Sequence, residues 1–256
     1  MIITDDHAHI EEEWILKSFN SMDEFIYEQE KSNVKYIITQ SLDRKTAEEA
    51  LTLSKKYKIL LLALGIYPHP NMSKVKSLDE DFNWIKSNIK NAVAIGEVGL
   101  DYSYENITEK DKESQKALFS KFIDLSIENK LPIIIHSRKA EKDVIDLLIQ
   151  KNAKKVVLHC FSGNKKLIKL AYEAGFYFSI PTNIVKSQHF QMIVEIADIS
   201  KILTETDAPF LSPYRDNKPN QPKNILESLT VIAKLKNMTI EETSNAIFQN
   251  FQKLYL

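Results

Sequence analysis

Short apolar runs alternate with longer amphipathic stretches along the whole chain. The run Ile133–Ile135 has no polar position between its apolar residues, which is typical of a strand buried on both faces of a parallel sheet. Similar runs predict eight strands: Ile2–Asp5, Tyr36–Ser41, Ile59–Gly65, Ala92–Glu97, Pro132–His136, Val156–His159, Phe176–Ile180 and Ile202–Thr206.

The stretches between these runs carry apolar residues three and four positions apart, as amphipathic helices do. Asp43, Thr108 and Asn164 each precede such a stretch, and all three are residue types that cap helix N-termini. Two further helices are predicted between Pro222 and Leu256, the second of them beginning at the capping sequence Thr239–Glu242.

Eight strand–helix units in succession favour an α/β fold, the (β/α)8 TIM barrel, as a single domain over residues 1–256. The competing arrangement is an open, doubly wound sheet, which usually has a glycine-rich loop after its first strand. Here the first strand is followed by histidines instead, so the barrel is the better prediction.

Composition excludes several classes of protein. The 256 residues have a formal net charge of −1, which argues against a protein that coats DNA through bulk positive charge. The single cysteine, Cys160, excludes a disulfide framework and suits a reducing cytosol, so a cytoplasmic location is expected. No signal peptide and no apolar run long enough to span a membrane are visible, so no membrane partner is expected.

Histidines gather at the predicted strand ends. Five of the six lie at or just after the end of a strand, namely His7, His9, His69, His136 and His159, whereas His189 begins a predicted helix. Two acids, Glu97 and Asp207, occupy corresponding positions. In a barrel the carboxyl ends of the strands meet at one mouth, so these side chains would converge there.

Imidazole and carboxylate groups are ligands of Zn²⁺ and Mn²⁺, and carboxylates also bind Mg²⁺. A single strand-end histidine is more often a hydrogen-bonded structural residue. Four histidines and two acids at corresponding points of five strands favour a metal site instead. For His69 and His189 the structural interpretation competes on equal terms or is preferred.

Five segments resemble the TatD-like metal-dependent deoxyribonucleases of the amidohydrolase superfamily. They are Asp5-Asp6-His7-Ala8-His9, Ala94–Tyr102, Ile135-His136-Ser137-Arg138, Leu158-His159-Cys160-Phe161-Ser162-Gly163 and Thr204–Leu211. The resemblance extends from Asp5 to the C-terminal helix. Any one segment is a weak signal, but five in the same order and spacing are highly specific.

The resemblance implies a centre with two divalent metal ions, Zn²⁺, Mg²⁺ or Mn²⁺. His7, His9 and Asp207 would hold the first ion, His136 and His159 the second, and Glu97 would bridge the two. A shared anionic ligand offsets the repulsion between two neighbouring cations. Glu97 and Asp207 are therefore the predicted catalytic residues, and Asp207 would orient the attacking water or accept its proton.

Four residues are predicted to contact the substrate. Arg138, two positions after His136, suits a phosphate through its bidentate guanidinium. The family often has a histidine where this chain has Tyr67, which would donate a hydrogen bond, and His69 follows two residues later. Arg215 lies in a loop after Asp207 that departs from the family pattern by an extra residue.

Two neighbours of the predicted ligands complete the site. Glu205 should face the barrel interior two residues below Asp207, where it either orients a ligand or makes an ordinary interior hydrogen bond. Cys160 directly follows His159, so on a strand it would face the helices as a buried structural thiol.

The predicted function is hydrolysis of phosphodiester bonds, with DNA or a nucleic-acid fragment as the substrate and no obligate protein partner. One alternative is an amidohydrolase-type esterase or amidase, for example a D-aminoacyl-tRNA deacylase, which would use the same metals. A second alternative is a non-catalytic barrel, against which the cost of burying such a cluster without metal argues.

Overall fold

A computed structural model describes residues 1–214 and 218–256 of the chain. Its strands lie in the sheet in the order in which they follow one another in sequence, and each neighbouring pair is parallel. They are β1 Ile3–Ala8, β2 Val34–Gln40, β3 Leu60–Leu64, β4 Ala94–Asp101, β5 Ile133–Arg138, β6 Val156–His159, β7 Tyr177–Pro181 and β8 Ile202–Glu205.

The last strand returns to the first. Asp207 N, just after β8, donates to His7 O (2.9 Å), and His9 N donates to Ala208 O (2.8 Å). Below them Thr204 Oγ1 donates to Thr4 O (3.0 Å). The eight strands therefore form a nearly closed barrel, which confirms the predicted (β/α)8 fold.

Helices alternate with the strands around the outside of the barrel. Within the described residues they are α1 Glu12–Ile15, α2 Met22–Lys31, α3 Arg44–Lys56, α4 Leu78–Asn88, α5 Glu109–Asn129, α6 Glu141–Gln150, α7 Lys165–Glu173, α8 Gln188–Ile196, α9 Ile225–Lys236 and α10 Ile240–Tyr255. The predicted caps Asp43, Thr108, Asn164 and Thr239 are confirmed, since each side chain accepts a hydrogen bond from the first turn of its helix.

Several strands extend further than their apolar runs predict. β1 continues beyond Asp5 to Ala8, and β4 continues beyond Glu97 to Asp101. In both cases polar side chains that face the barrel interior interrupt the apolar pattern without ending the backbone pairing. The prediction from hydrophobicity alone therefore stopped too early on the side where polar residues cluster.

The amino-terminal end of the barrel is closed by the last helix. Phe251, Leu254 and Tyr255 of α10 pack against inward-facing strand residues such as Ile38 and Leu203. Phe251 also stacks on Tyr36 near the start of β2, with ring centroids 5.8 Å apart. Because this end is filled with apolar side chains, the cavity lined by polar residues lies at the carboxyl ends of the strands.

Gly99 allows β4 to continue past Glu97. It has φ +151°, and a Cβ built on it would lie 2.0 Å from His136 O on β5. We expect Gly99→Ala to lower the free energy of unfolding by about 3 kcal/mol or more, because strain and a backbone clash combine. Gly175→Ala is the matched control: its φ is +85°, but the nearest atom lies 3.9 Å away. Urea denaturation that gives equal losses for the two variants would contradict this explanation.

Candidate metal centre

Six side chains converge at the carboxyl ends of five strands. His7 lies in β1 and His9 just after it, Glu97 is in β4, His136 in β5 and His159 at the end of β6, and Asp207 follows β8. Together with aromatic residues and one arginine, five of the six line a cavity of about 520 Å³. All six predicted ligands are thus brought together at the predicted end of the barrel.

Glu97 lies at the centre of this group. Its Oε2 is 3.4 Å from His7 Nε2 and 3.6 Å from His9 Nε2. Its Oε1 is 2.9 Å from His136 Nδ1 and 3.9 Å from His159 Nε2. The two oxygens of one carboxylate therefore face two different pairs of imidazoles.

Asp207 faces the first of these pairs. Its Oδ1 is 3.6 Å from His7 Nε2 and 3.4 Å from His9 Nε2. The Asp207 side chain is 14% exposed, whereas that of Glu97 is only 2% exposed. Asp207 is thus the carboxylate of the pair with better access to water in the cavity.

Several ring nitrogens of the cluster lack hydrogen-bond partners and could instead coordinate a metal ion. Within the described residues, both ring nitrogens of His7 and Nδ1 of His9 are buried without a hydrogen-bond partner. His136 Nδ1 is close to Glu97 but is not aligned for a hydrogen bond. Unsatisfied buried nitrogens are costly in an apolar interior, and coordination would satisfy them.

Three sets of side chains among the described residues have ligand atoms within 4.8 Å of one another: His7 with His9 and Asp207, Glu97 with His136 and His159, and His7 with His159 and Glu205. The first two sets divide the six predicted ligands into two groups that meet at Glu97. The third arises because the rings of His7 and His159 stack, with centroids 3.5 Å apart.

Further carboxylates orient the histidines. His159 Nδ1 lies 2.8 Å from Glu205 Oε2, and Cys160 N donates to Glu205 Oε1 (3.0 Å). His136 Nε2 lies 3.0 Å from Asp101 Oδ2. A carboxylate on one ring nitrogen fixes the orientation of the imidazole and directs its other nitrogen toward the centre. Glu205 thus contacts the imidazole of His159 and also makes an ordinary interior hydrogen bond with Cys160 N.

Burial and neighbouring charges shift the pKa values of the four histidines in different directions. Burial lowers the pKa of His159 to about 4, and it also lowers the pKa of His7. Burial acts in the same direction on His9 and His136, but contacts with Asp207, Asp101 and Glu97 outweigh it and raise both pKa values. His9 and His136 are therefore the first of the four to take up a proton.

Metal affinity is accordingly expected to fall on acidification from pH 8 to pH 6, roughly tenfold per pH unit for each proton that must be displaced. The sign follows from the raised pKa values of His9 and His136, because a protonated imidazole has no lone pair for a metal. Calorimetric titration with Mn²⁺ in buffers of different ionisation enthalpy measures both affinity and proton release. A metal affinity that is constant over this pH range would contradict the prediction. His189→Ala, which removes a histidine outside the cluster, is the control and should show the same pH dependence as the unmodified protein.

Two of the four residues predicted to contact the substrate, Arg138 and Tyr67, lie in the cavity lining. Arg138 borders the cavity, and its Nη1 donates to Ser137 O (3.0 Å) and Cys160 O (2.9 Å). Tyr67 also borders the cavity and donates to Asp101 Oδ2 (3.3 Å). Burial raises the pKa of Tyr67, so the hydroxyl stays protonated as a donor.

Among the described residues, His69 is not part of the cavity lining. His69 is exposed on the loop after β3, where its Nδ1 accepts a hydrogen bond from Asn71 N (3.1 Å). Arg215 lies outside the described residues, together with the two positions that follow it. For both residues a role in substrate binding remains a prediction.

Cys160 is buried as predicted, and it lies just after β6 rather than within the strand. Its φ is +43°, immediately after β6 ends, and its thiol interacts with the guanidinium of Arg138. Burial raises the pKa of the Cys160 thiol, so it stays protonated.

Sequence reasoning missed Asp101, Asp6 and Phe210. Asp101 lies four residues after Glu97, on the same face of β4, so the alternation of a longer strand would have found it. Asp6 is completely buried and accepts hydrogen bonds from Ser179 Oγ and from Tyr255 Oη (3.2 Å). Phe210 is a large apolar residue that borders the cavity but stays 59% exposed.

The fold and the site define a barrel with a histidine–carboxylate centre at the carboxyl ends of its strands. Residues 4–256 match the family described as TatD related DNase, and the chain belongs to that family. It is a hydrolytic enzyme of the metal-dependent hydrolase type. Within the described residues, no helix combines the length and apolar character needed to cross a membrane.

Relatives match nine tenths or more of the chain. An uncharacterized metal-dependent hydrolase of Methanocaldococcus jannaschii is 35% identical over 251 residues, which cover 98% of this chain and 96% of the relative. A human protein named deoxyribonuclease TATDN3 is 32% identical over 243 residues, covering 91% and 88% respectively. The crystal structure of the TatD homologue YjjV from Escherichia coli superposes with a TM-score of 0.86 at 23% identity, covering 99% and 97% of the two chains, and supports the fold.

Proposed function

We propose that this enzyme hydrolyses phosphodiester bonds in DNA and that it does so with two divalent cations at the mouth of the barrel. The observation that carries the proposal is the position of Glu97, whose two oxygens face separate pairs of imidazoles. The deoxyribonuclease name of the human relative supports DNA as the substrate.

In this proposal the two groups of side chains hold one cation each. His7, His9 and Asp207 would bind the first, His136 and His159 the second, and Glu97 would contribute one oxygen to each. A donor set rich in imidazole suits Zn²⁺ or Mn²⁺ better than Mg²⁺. Bound there, such cations would neutralise charge on a phosphoryl oxygen and lower the pKa of a water molecule toward neutrality.

The protein's own groups have separate tasks. Asp207 orients the attacking water from the cavity side and accepts its proton, and the low pKa of this carboxylate keeps it ionised at neutral pH. The pKa is low because contacts with His9, His159 and His7 outweigh the effect of burial. Arg138 binds a phosphate oxygen from the opposite side of the mouth, since β5 faces β1 across the barrel.

Direct comparison of substrates tests the proposal. Purified protein loaded with Mn²⁺ or Zn²⁺ is expected to release nucleotides from single- or double-stranded DNA, and His136→Ala is expected to abolish the release. RNA and aminoacyl-tRNA are included at the same concentration. Turnover of aminoacyl-tRNA without turnover of DNA would favour the ester or amide hydrolase, and a rate equal to that of His136→Ala on every substrate would contradict catalysis at this site.

A further inference from the structure

Phe210 is an exposed aromatic side chain at the edge of the active-site cavity. It is 59% exposed, whereas Ala208 in the same segment is completely buried. A phenylalanine on a protein surface forgoes the stabilisation that burial of its ring would bring. The position of Phe210 in the cavity wall suggests that its ring is covered by a bound molecule.

The backbone around Phe210 is held in place on both sides. Phe210 N donates to Asp207 O (2.8 Å), and Asn220 N donates to Pro209 O (2.9 Å). The Asn220 side chain in turn donates to Thr206 O (2.8 Å). The ring of Phe210 also meets that of His9 edge to face, with centroids 6.2 Å apart. The backbone of Phe210 is thus held in place, and its ring lies beside the proposed metal centre.

The cavity has two chemically different sides. Phe210, which follows β8, and Leu42, which follows β2, are apolar residues of the cavity lining, and His9 follows β1, the strand between these two. Arg138 in β5 lies across the mouth from these residues. A guanidinium on one side and a flat apolar face on the other match the two parts of a nucleotide, its phosphate and its base.

We propose that Phe210 stacks on the base of an unpaired nucleotide next to the scissile phosphate and so gives the enzyme a preference for substrates that carry a base at that position. The proposal rests on the phosphodiesterase function proposed above. A base exposes its flat face to a side chain only when it is unstacked from its neighbours, which requires a single strand or a strand end. Stacking on an aromatic side chain accepts any base, because every base has such a face.

An alternative role for Phe210, shielding the metal centre from water, predicts a different effect of its removal on the rates of hydrolysis. If the ring only shielded His9 and the metal centre from water, its loss would slow every phosphodiester, whether or not a base is present. Stacking on a base affects only substrates that carry the base. The two explanations therefore differ in the ratio between two substrates and not in one rate alone.

The kinetic test uses short single-stranded oligonucleotides in which one nucleotide at a time is replaced by its abasic tetrahydrofuran analogue. For the unmodified enzyme, loss of the base beside the cleaved bond is expected to lower kcat/KM about tenfold or more. Phe210→Ala should cleave intact and abasic strands with a ratio near one, and Phe210→Trp should restore the preference. Tyr27→Ala, which removes an equally exposed aromatic residue on α2, is the matched control.

A binding measurement complements the kinetics. The fluorescence of 2-aminopurine is quenched by stacking. Metal-stripped enzyme should therefore quench a strand that carries 2-aminopurine in place of the base beside the cleaved bond. Metal-stripped Phe210→Ala should leave the fluorescence of this strand unchanged. A preference that survives in Phe210→Ala, or an equal loss on intact and abasic strands, would overturn the inference. Failure of the proposed function would look different: no strand would be cleaved by the unmodified enzyme, while quenching would still report whether Phe210 contacts a base.

Discussion

Glu97→Gln is expected to lower the rate of DNA hydrolysis about a thousandfold. The carboxylate presents one oxygen to His7 and His9 and the other to His136 and His159. Glutamine keeps the shape but replaces one oxygen by an NH₂ donor, and it removes the negative charge between the two proposed cations. Nucleotide release under saturating Mn²⁺, with metal content after dialysis, measures both consequences.

The control for Glu97→Gln is Glu13→Gln on α1, which removes the same charge from a side chain that is 80% exposed. We expect this control to retain full activity and the metal content of the unmodified enzyme. Circular dichroism shows whether each variant is folded. If folded Glu97→Gln keeps its metal and retains activity within tenfold of the unmodified enzyme, the bridging role of Glu97 is wrong.

The convergence of the six side chains was predictable because their positions obey two simple rules. Parallel strands bring their carboxyl ends together, and His136 and His159 each follow an unmistakable apolar run. His7 and His9 are two residues apart, so one extended segment presents both imidazoles to the same side. These rules depend only on local pattern and on the topology of the barrel.

Asp101 was missed because the predicted fourth strand ended at Glu97. Gly99 resembles a strand terminator, yet in the structure it has φ +151° and packs against His136 O, so the strand continues. The closeness of the glycine to the neighbouring strand cannot be read from the sequence. Asp101 then reaches His136 Nε2 at 3.0 Å and orients that ring.

The buried pair of Asp6 and Tyr255 shows a different limit. The two residues are 249 positions apart, and their hydrogen bond exists only because α10 closes the amino-terminal end of the barrel. The periodicity of α10 predicts a helix but does not say against which surface the helix packs. Contacts that depend on the docking of a whole element lie beyond local sequence patterns.

Asp207→Asn is expected to reduce kcat roughly a hundred- to ten-thousandfold, with little change in KM for DNA. The amide has nearly the same size as the carboxylate and can still accept a hydrogen bond from His9, but it cannot take a proton from water. The substitution leaves the proposed ligands of the second cation unchanged, namely His136, His159 and Glu97. At least this second cation should therefore remain bound. Steady-state kinetics on a single-stranded oligonucleotide, with metal content determined in parallel, measures each expectation.

The two proposed roles of Asp207, metal ligand and proton acceptor, predict different responses to excess metal. If Asp207 only bound a cation, raising the Mn²⁺ concentration would restore the activity of Asp207→Asn to that of the unmodified enzyme. A proton acceptor cannot be replaced in this way, so the loss of kcat should persist after both cations are bound. Asp198→Asn removes an equal charge from an exposed residue that caps the short 3-10 turn Ile199–Lys201, which precedes β8 at the opposite end of the barrel, and it should leave kcat unchanged. Full recovery at high Mn²⁺ would assign Asp207 to metal binding alone.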